Sequence, residues 1–244
     1  AIAQAGNRGV AAKLLTDFIN DFPKDPRICE ALTLRGDMYA KTKKEAEALM
    51  DFDRVIARWP KAESAAAAWQ RAAQIYAGRQ DMANMAKYYE GLIQNFPKAS
   101  PAALAEAHFL LGRAAFDQGD FKSSISHMAE AKTLDPQKYG EQVNVLSVLS
   151  YHKLQDVNKL KEALETLQKE NPSAVARVPD VIPAWLGLQA YGMKDLETAD
   201  KYMTWATQND QLQNVKKVIW RNLAKVRLAL RKYDRALVAS NNFL

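Results

Sequence analysis

The sequence predicts an all-α protein built from helix pairs that repeat along the chain. Five prolines, from Pro23 to Pro172, close apolar stretches at intervals of 37, 37, 39 and 36 residues. A proline just beyond a helix end is expected because it cannot continue the helix. The composition, with 48% hydrophobic and 25% charged residues and only 10 Gly and 9 Pro among 244 residues, is that of a folded protein and excludes a disordered or collagen-like chain.

The clearest repeat ends at Pro136. A helical stretch with His108 and Gly112 leads to a Gly119-Asp120 turn, and a second helical stretch follows with Met128. Small residues at such positions allow two helices to cross closely, and large residues fill the space beside them. The same offsets carry Trp69, Ala73, Met85 and Tyr89 before Pro97, and Leu32, Gly36, Ala48 and Phe52 before Pro60.

The pattern divides the chain into one solenoid domain over residues 1–244. Complete repeats are predicted at about 27–60, 64–97, 104–136, 141–172 and 180–211, with partial repeats at 1–23 and 217–244. Turns within the pairs are predicted near 41–44, 78–81, 117–120, 155–157, 193–195 and 230–232. Because both ends fall inside or beside helical patterns, we expect the sequence to be part of a longer chain.

These repeats resemble the tetratricopeptide repeat (TPR) family, whose pattern is W-x2-L-G-x2-Y, then a small residue, an aromatic residue and Pro. The Gly112 repeat matches closely, and the Trp69 and Gly36 repeats match well. The repeats around Tyr151 and Leu186 lack the first aromatic residue or the closing proline. The resemblance implies a right-handed α-α superhelix of about six to seven repeats that works as a non-catalytic protein-interaction scaffold without a cofactor.

Few residues offer the chemistry of an enzyme or a metal site. Cys29 is the single cysteine, which excludes an internal disulfide and a multi-cysteine zinc site. The three histidines are 19 and 25 residues apart and lack the i, i+4 spacing of a helical metal site. His108 is expected to pack between helices and His127 to face solvent, whereas His152 is either packed or in contact with a ligand.

In the TPR family, the first helix of each pair lines a concave groove, and the resemblance places the partner-binding residues there. The predicted groove residues are Phe109, Arg113, Phe116, Leu149, His152 and Tyr191. Exposed aromatic side chains on such a face are candidate anchors for a partner. The alternative is that Phe109 and Phe116 pack against the adjacent repeat.

The net charge of +6 is concentrated near the C-terminal end, because residues 211–244 alone carry +7. The predicted basic patch consists of Lys216, Lys217, Arg221, Lys225, Arg231 and Lys232. Such a stripe can attract an acidic protein or an anionic membrane surface, and it can also be a solvated helix face. Nucleic acid is a weaker candidate, since no base-stacking aromatic pattern accompanies the charges.

The predicted function is therefore to bind a protein or peptide partner. The run from Phe96 to Pro101 is similar to TPR proteins of the Gram-negative cell envelope, of the Tol-Pal coordinator and outer-membrane assembly lipoprotein type. It favours a periplasmic or envelope-associated assembly, with a cytoplasmic location as the alternative. The competing hypotheses are a regulatory or adaptor module of a larger enzyme or signalling protein, and a basic-surface binder of nucleic acid or anionic lipid. No stretch of the sequence is apolar and long enough for a transmembrane helix.

Overall fold

The computed structural model describes residues 7–208 and 213–243, and these residues form helices connected by short turns, with no β-strand among them. The α-helices are α1 (Arg8–Asp21), α2 (Ile28–Lys41), α3 (Glu45–Arg58), α4 (Glu63–Gly78), α5 (Met82–Asn95), α6 (Pro101–Asp117), α7 (Phe121–Leu134), α8 (Pro136–Lys153), α9 (Val157–Glu170), α10 (Val181–Gly192), α11 (Leu196–Thr207), α12 (Gln213–Ala229) and α13 (Tyr233–Phe243). A short 3-10 helix spans Pro172–Arg177 between α9 and α10. The predicted all-α fold class is confirmed.

A turn of three residues joins the two helices of each pair from α2–α3 to α12–α13. Its middle residue has a positive φ in every pair, namely Lys43, Gln80, Gly119, Gln155, Lys194 and Arg231. In the α4–α5 turn, the Gln80 N–H donates to the carbonyl of Ala77 and the Asp81 N–H to that of Tyr76. These two bonds define a Schellman motif, which satisfies carbonyl groups at the end of the first helix.

The residue after the middle of the turn caps the second helix in four pairs. The side chains of Asp81, Asp120, Asp156 and Asp195 each accept a hydrogen bond from the backbone N–H three residues later. Such a cap typically stabilises a helix by about 1 kcal/mol. Hydrogen bonds from the side chains of Asn84, Ser123 and Thr198, together with these backbone bonds, hold the pKa of the Asp81, Asp120 and Asp195 carboxyls below the usual value. The turn therefore fixes where each second helix begins.

All six predicted turns are confirmed, and the prolines fall at the predicted breaks. Helices α1, α3 and α5 each end two residues before Pro23, Pro60 and Pro97. Pro136 and Pro172 instead begin the following helix, a position that proline tolerates because its missing N–H would have no helical partner there.

The helices form two compact units, which we describe separately as unit 1 (Ala1–Pro136) and unit 2 (Gln137–Leu244). In unit 1, large side chains of the second helices, such as Phe52, Tyr89 and Met128, are fully buried. In unit 2, Leu160, Leu164 and Tyr202 occupy the corresponding interior. The single solenoid domain over residues 1–244 stays a prediction.

Candidate protein-binding surfaces

A chain of polar contacts crosses the first helices of three successive pairs in unit 1. The Arg71 guanidinium on α4 lies 3.3 Å from the Asp37 carboxylate on α2 and donates to Gln74 Oε1 at 3.1 Å. The amide groups of Gln74 and Gln70 then donate to the Glu106 carboxylate on α6, at 2.9 Å and 2.7 Å. We call these five residues the polar ladder. It keeps α2, α4 and α6 in register along one surface.

The hydrogen bonds that Glu106 accepts within the polar ladder are partly buried. Burial raises the pKa of the Asp37 carboxyl, and this effect outweighs the opposing influence of Arg71. Glu106 also accepts a hydrogen bond from the hydroxyl of Tyr89 at 3.3 Å. Carboxylates in such surroundings interact more strongly with an incoming donor than carboxylates in bulk water do.

Two open cavities flank α4 in unit 1. One, of about 330 Å³, is lined by Asp37, Arg71 and Gln74 of the ladder together with Ile75. The other, of about 600 Å³, has an apolar floor and Gln70 of the ladder at its side. Its floor consists of Ala66, Ala67, Leu92, Phe96, Pro97, Ala99 and Ala103, and Lys61 and Lys98 also line it. Cavities of this size and character can accept side chains of a partner.

The groove residues predicted in unit 1 take different environments. Arg113 is exposed on α6, whereas Phe109 and Phe116 are half-buried. The Phe116 ring meets the ring of Phe121 edge-on, with centroids 5.4 Å apart. Phe116 thus packs against the first residue of the second helix in its own pair. Its predicted role as a partner anchor stays a prediction.

The groove residues predicted in unit 2 are all half-buried. Leu149 packs against the leucine-rich interior of the unit, and Tyr191 packs against the cluster that joins α10, α11 and α12. The His152 ring meets the Trp185 ring edge-on at 5.4 Å, and burial lowers the pKa of His152. Each of these side chains therefore has a packing contact within unit 2, and the apolar track predicted from Phe109 to Tyr191 stays a prediction.

His127 does not face solvent as the sequence suggested. It is half-buried, and its Nδ1 lies 3.0 Å from Nδ1 of His108, so that one neutral ring donates to the other. Burial lowers the pKa of both rings. The reason is the close crossing of α6 and α7 at Gly112, where a Cβ would lie 3.1 Å from the Cβ of His127. Sequence spacing alone gave no sign of this pairing across two helices.

Of the residues in the predicted basic patch, Lys232 is bound in ion pairs. Lys232 donates to Glu197 and Asp200 at 3.0 Å and 2.9 Å and is held in place by them. Lys217, Arg221, Lys225 and Arg231 are exposed, and Lys216 is half-buried. Arg227, which the prediction left out, is buried and donates to Asp200 at 2.8 Å.

Neither a metal centre nor a membrane span emerges from the described residues. Within 7–208 and 213–243, no three His, Cys, Asp or Glu side chains converge as a metal site would require. No helix in these ranges combines the length and the hydropathy needed to cross a membrane.

Comparison with known proteins agrees with this architecture. Family models of the tetratricopeptide repeat match residues 30–62, 67–99 and 105–138. A tetratricopeptide repeat protein from Parabacteroides merdae has a similar structure, with a TM-score of 0.54 and 13% identity over 97% of this chain and 86% of that one. No curated protein is similar enough in sequence to match this chain.

MamA structures are similar over a shorter part of the chain. MamA from strain AMB-1 has a TM-score of 0.52 and 21% identity over 70% of this chain and 84% of its own. MamA from Desulfovibrio magneticus RS-1 has a TM-score of 0.50 and 19% identity over 69% and 90% of the two chains. Such identities establish a shared fold. With the repeat models, they show that this chain has an all-α fold that carries tetratricopeptide repeats.

Proposed function

We propose that the chain is a non-catalytic scaffold that binds a peptide segment or partner domain in the cavities beside α4 in unit 1. The observation that carries this proposal is the pair of open cavities on either side of α4, of about 330 Å³ and 600 Å³. The repeats that the family models match surround these cavities, and tetratricopeptide repeats stack to form extended binding surfaces.

The two cavities differ in the contacts that they offer. The larger one, with its alanine-rich floor, suits an apolar side chain, whose burial contributes about 25 cal/mol per Å². The smaller one is lined by the Asp37–Arg71 ion pair and by Gln74, which can bond to polar groups of a peptide. Apolar contacts would supply affinity, and the polar ladder would set the register of the bound segment.

The proposal includes a place in a bacterial cell-envelope assembly. Its support is the local sequence similarity of residues 96–101 to envelope TPR proteins. Cell fractionation of the source organism tests this part separately. Recovery of the chain with membranes or periplasm, together with a partner from the same fraction, is expected. Recovery in the cytoplasm alone would contradict the envelope assignment and leave the scaffold function standing.

Photocrosslinking tests the binding surface. A benzoylphenylalanine at position 67, on the floor of the larger cavity, is expected to capture one segment of one partner, which peptide mapping identifies. The same group at position 50, where Met50 is exposed on α3, serves as the matched control and should capture nothing specific. The synthetic segment should then bind the purified chain, and Ala67→Arg should weaken it at least about tenfold by filling the cavity. Equal capture at both positions, or a segment that binds Ala67→Arg normally, would contradict the proposal.

A further inference from the structure

Three turns between successive helix pairs of unit 1 share one sequence pattern and one hydrogen bond. Each turn contains an aromatic residue, Pro and Lys, namely Phe22-Pro23-Lys24, Trp59-Pro60-Lys61 and Phe96-Pro97-Lys98. In each turn, the backbone N–H of the next residue donates to the carbonyl of the aromatic residue, at 3.0, 3.0 and 2.9 Å. Because this bond closes the same four-residue turn, the three lysines take equivalent places in successive repeats. The equivalent residues of unit 2, Gln137 and Ser173, are uncharged.

Two of these lysines, from consecutive turns, reach the same cavity. The larger cavity beside α4 is lined by Lys61, which precedes α4, and by Lys98, which precedes α6, and both side chains are exposed. Neither lysine has an ion pair within residues 7–208 and 213–243, in contrast to Lys161 and Lys201 of unit 2, which each bind a carboxylate. The ammonium groups at this cavity are therefore available to a bound carboxylate.

The lining of this cavity is positive overall. Glu63 is the acidic residue in the lining, so that two lysines against one glutamate leave a charge of +1. Helix α4 begins at Glu63 and α6 follows its Ser100 cap, and both of these residues line the cavity. A helix carries a partial positive charge at its N-terminus, which adds to the charge of the lysines. A segment that carries carboxylates is therefore favoured over a basic one.

The floor of the cavity offers space for a bulky apolar side chain. Four alanines contribute to it, together with Leu92, Phe96 and Pro97. Alanine side chains are small, and the cavity has a volume of about 600 Å³. An apolar floor with a few charged groups around it is typical of a pocket that holds an anchor residue. The cavity can thus bind an apolar side chain and carboxylates next to it.

We infer that the partner segment bound in this cavity is acidic: one bulky apolar residue enters the cavity, and aspartate or glutamate residues on both sides of it meet Lys61 and Lys98. The acidic partner rests on the proposed function, because the same cavity of unit 1 holds the segment. The two lysines come from consecutive repeats, so the acidic residues should flank the apolar residue and not form one block. Their attraction to the lysines would speed association and disfavour basic segments.

Selection from a library of displayed peptides of about 12 residues, which reach up to about 40 Å when extended, tests this partner chemistry on the purified chain. Enriched peptides should carry Leu, Phe or Trp flanked by Asp or Glu, and a synthetic copy should bind more weakly as salt is added. Lys61→Glu/Lys98→Glu should weaken this synthetic peptide at least about tenfold. Exchange of the acidic residues of the peptide for Lys should restore its binding to the variant.

A matched control makes the same charge change elsewhere in unit 1. Lys13→Glu/Lys122→Glu alters exposed lysines of α1 and α7 that do not line the cavity, and it should leave binding of the peptide unaltered. All four lysines are exposed, so circular dichroism should show an unchanged fold for both double variants.

Ala67→Arg distinguishes a failure of the acidic partner from a failure of the proposed function. Peptides that Ala67→Arg weakens but Lys61→Glu/Lys98→Glu binds normally would overturn the acidic partner and leave the scaffold function standing. Basic or uncharged peptides that require the cavity would overturn it in the same way. Failure to enrich any peptide, or peptides that bind Ala67→Arg normally, would overturn both.

Discussion

Units 1 and 2 use the same three-residue turn but fill the space between helices differently. The pairs α2–α3, α4–α5 and α6–α7, which the repeat models match, belong to unit 1. Eleven residues before the middle of the turn, the first packing position in unit 1 holds Leu32, Trp69 and His108. In unit 2, α12 holds Trp220 there, whereas α8 places a buried Asn144. Asn144 donates to Glu170 and Asn171 and is thereby satisfied.

The buried ion pairs also differ between the two units. In unit 1, Arg35 and Asp51 form a two-bond ion pair within one helix pair, at 2.8 Å and 2.6 Å. In unit 2, Asp200 of α11 binds Arg227 of α12 and Lys232, and so joins consecutive helix pairs. The comparison shows that the turn and the close approach of helices define the repeat, while consensus packing residues can be replaced by satisfied polar groups.

The largest effect is expected for the ion pair that joins helix pairs. Asp200→Ala would leave Arg227 buried without its carboxylate, which should cost about 3–5 kcal/mol of unfolding free energy. Asp51→Ala in unit 1 should cost a similar amount, because Arg35 is also largely buried. Urea unfolding of both variants measures the two costs. A loss below about 1 kcal/mol for Asp200→Ala would show that unit 2 does not depend on this contact.

The close approach of helices should cost more to disturb at Gly187 in unit 2 than at Gly112 in unit 1. A Cβ on Gly187 would lie 2.9 Å from the backbone nitrogen of Met203, and a rigid backbone cannot easily move aside. A Cβ on Gly112 would meet only side chains, at 3.1 Å or more. We expect Gly112→Leu to cost about 1–3 kcal/mol and Gly187→Leu to cost more, as measured by thermal unfolding. A harmless Gly112→Leu would contradict the repeat register in α6 and α7.

The histidine pair should make unit 1 sensitive to acid. Burial lowers the pKa of His108 and His127 in the folded state, so their stabilising effect is complete above the unfolded pKa of about 6.5 and is lost as pH falls below it. Glu130 acts on both rings and Glu90 on His127, and both raise the pKa and moderate the effect.

The measurement is urea unfolding of the native chain and of the His108→Leu/His127→Leu variant between pH 7.5 and pH 5. The stability difference between the two should shift against the native chain as pH falls, because both rings bind protons more readily in the unfolded chain. Carboxylates titrate in both proteins, so the difference between their unfolding free energies removes the carboxylate contribution. Parallel pH profiles would show that the pair does not titrate on folding.

The smallest effects are expected in the turns. Lys194→Gly should stabilise unit 2 by up to about 1 kcal/mol, because the positive φ of 63° strains every residue except glycine. Gly119→Ala should destabilise unit 1 by a similar amount, since φ is 82° there. Shifts of the urea midpoint in opposite directions are expected. Shifts in the same direction would show that the two units do not share the turn geometry.

The sequence predicted the helix pairs well because proline and the Gly-Asp turn act locally. The six turns follow from residues that are adjacent in the chain, and the family pattern located the crossings at Gly36 and Gly112. Contacts such as Arg35–Asp51 and Asp200–Arg227 join residues 16 and 27 positions apart. They depend on the rotation of one helix against another, which periodicity does not fix.

The candidate sites were harder to predict from the sequence, because they also depend on how one helix is rotated against another. Phe116 and Tyr191 lie on first helices as expected, but their half-buried rings pack against neighbouring helices. The cavities beside α4 arise from alanines, whose small side chains carry little signal in the sequence. The basic stripe was visible as charge, whereas the place of Lys61 and Lys98 at one cavity depends on how successive repeats pack.

Hydrogen exchange with the captured partner segment tests the central claim, that unit 1 binds a partner along its first helices, most directly. The segment identified by crosslinking is added to the purified chain, and amide exchange is compared with and without it. We predict slower exchange in α4, at the end of α5 with residues 96–100, and in the facing parts of α2 and α6, with α3 and α7 unchanged. Protection confined to α3 and α7, or spread evenly over the chain, would contradict a binding surface on the first helices.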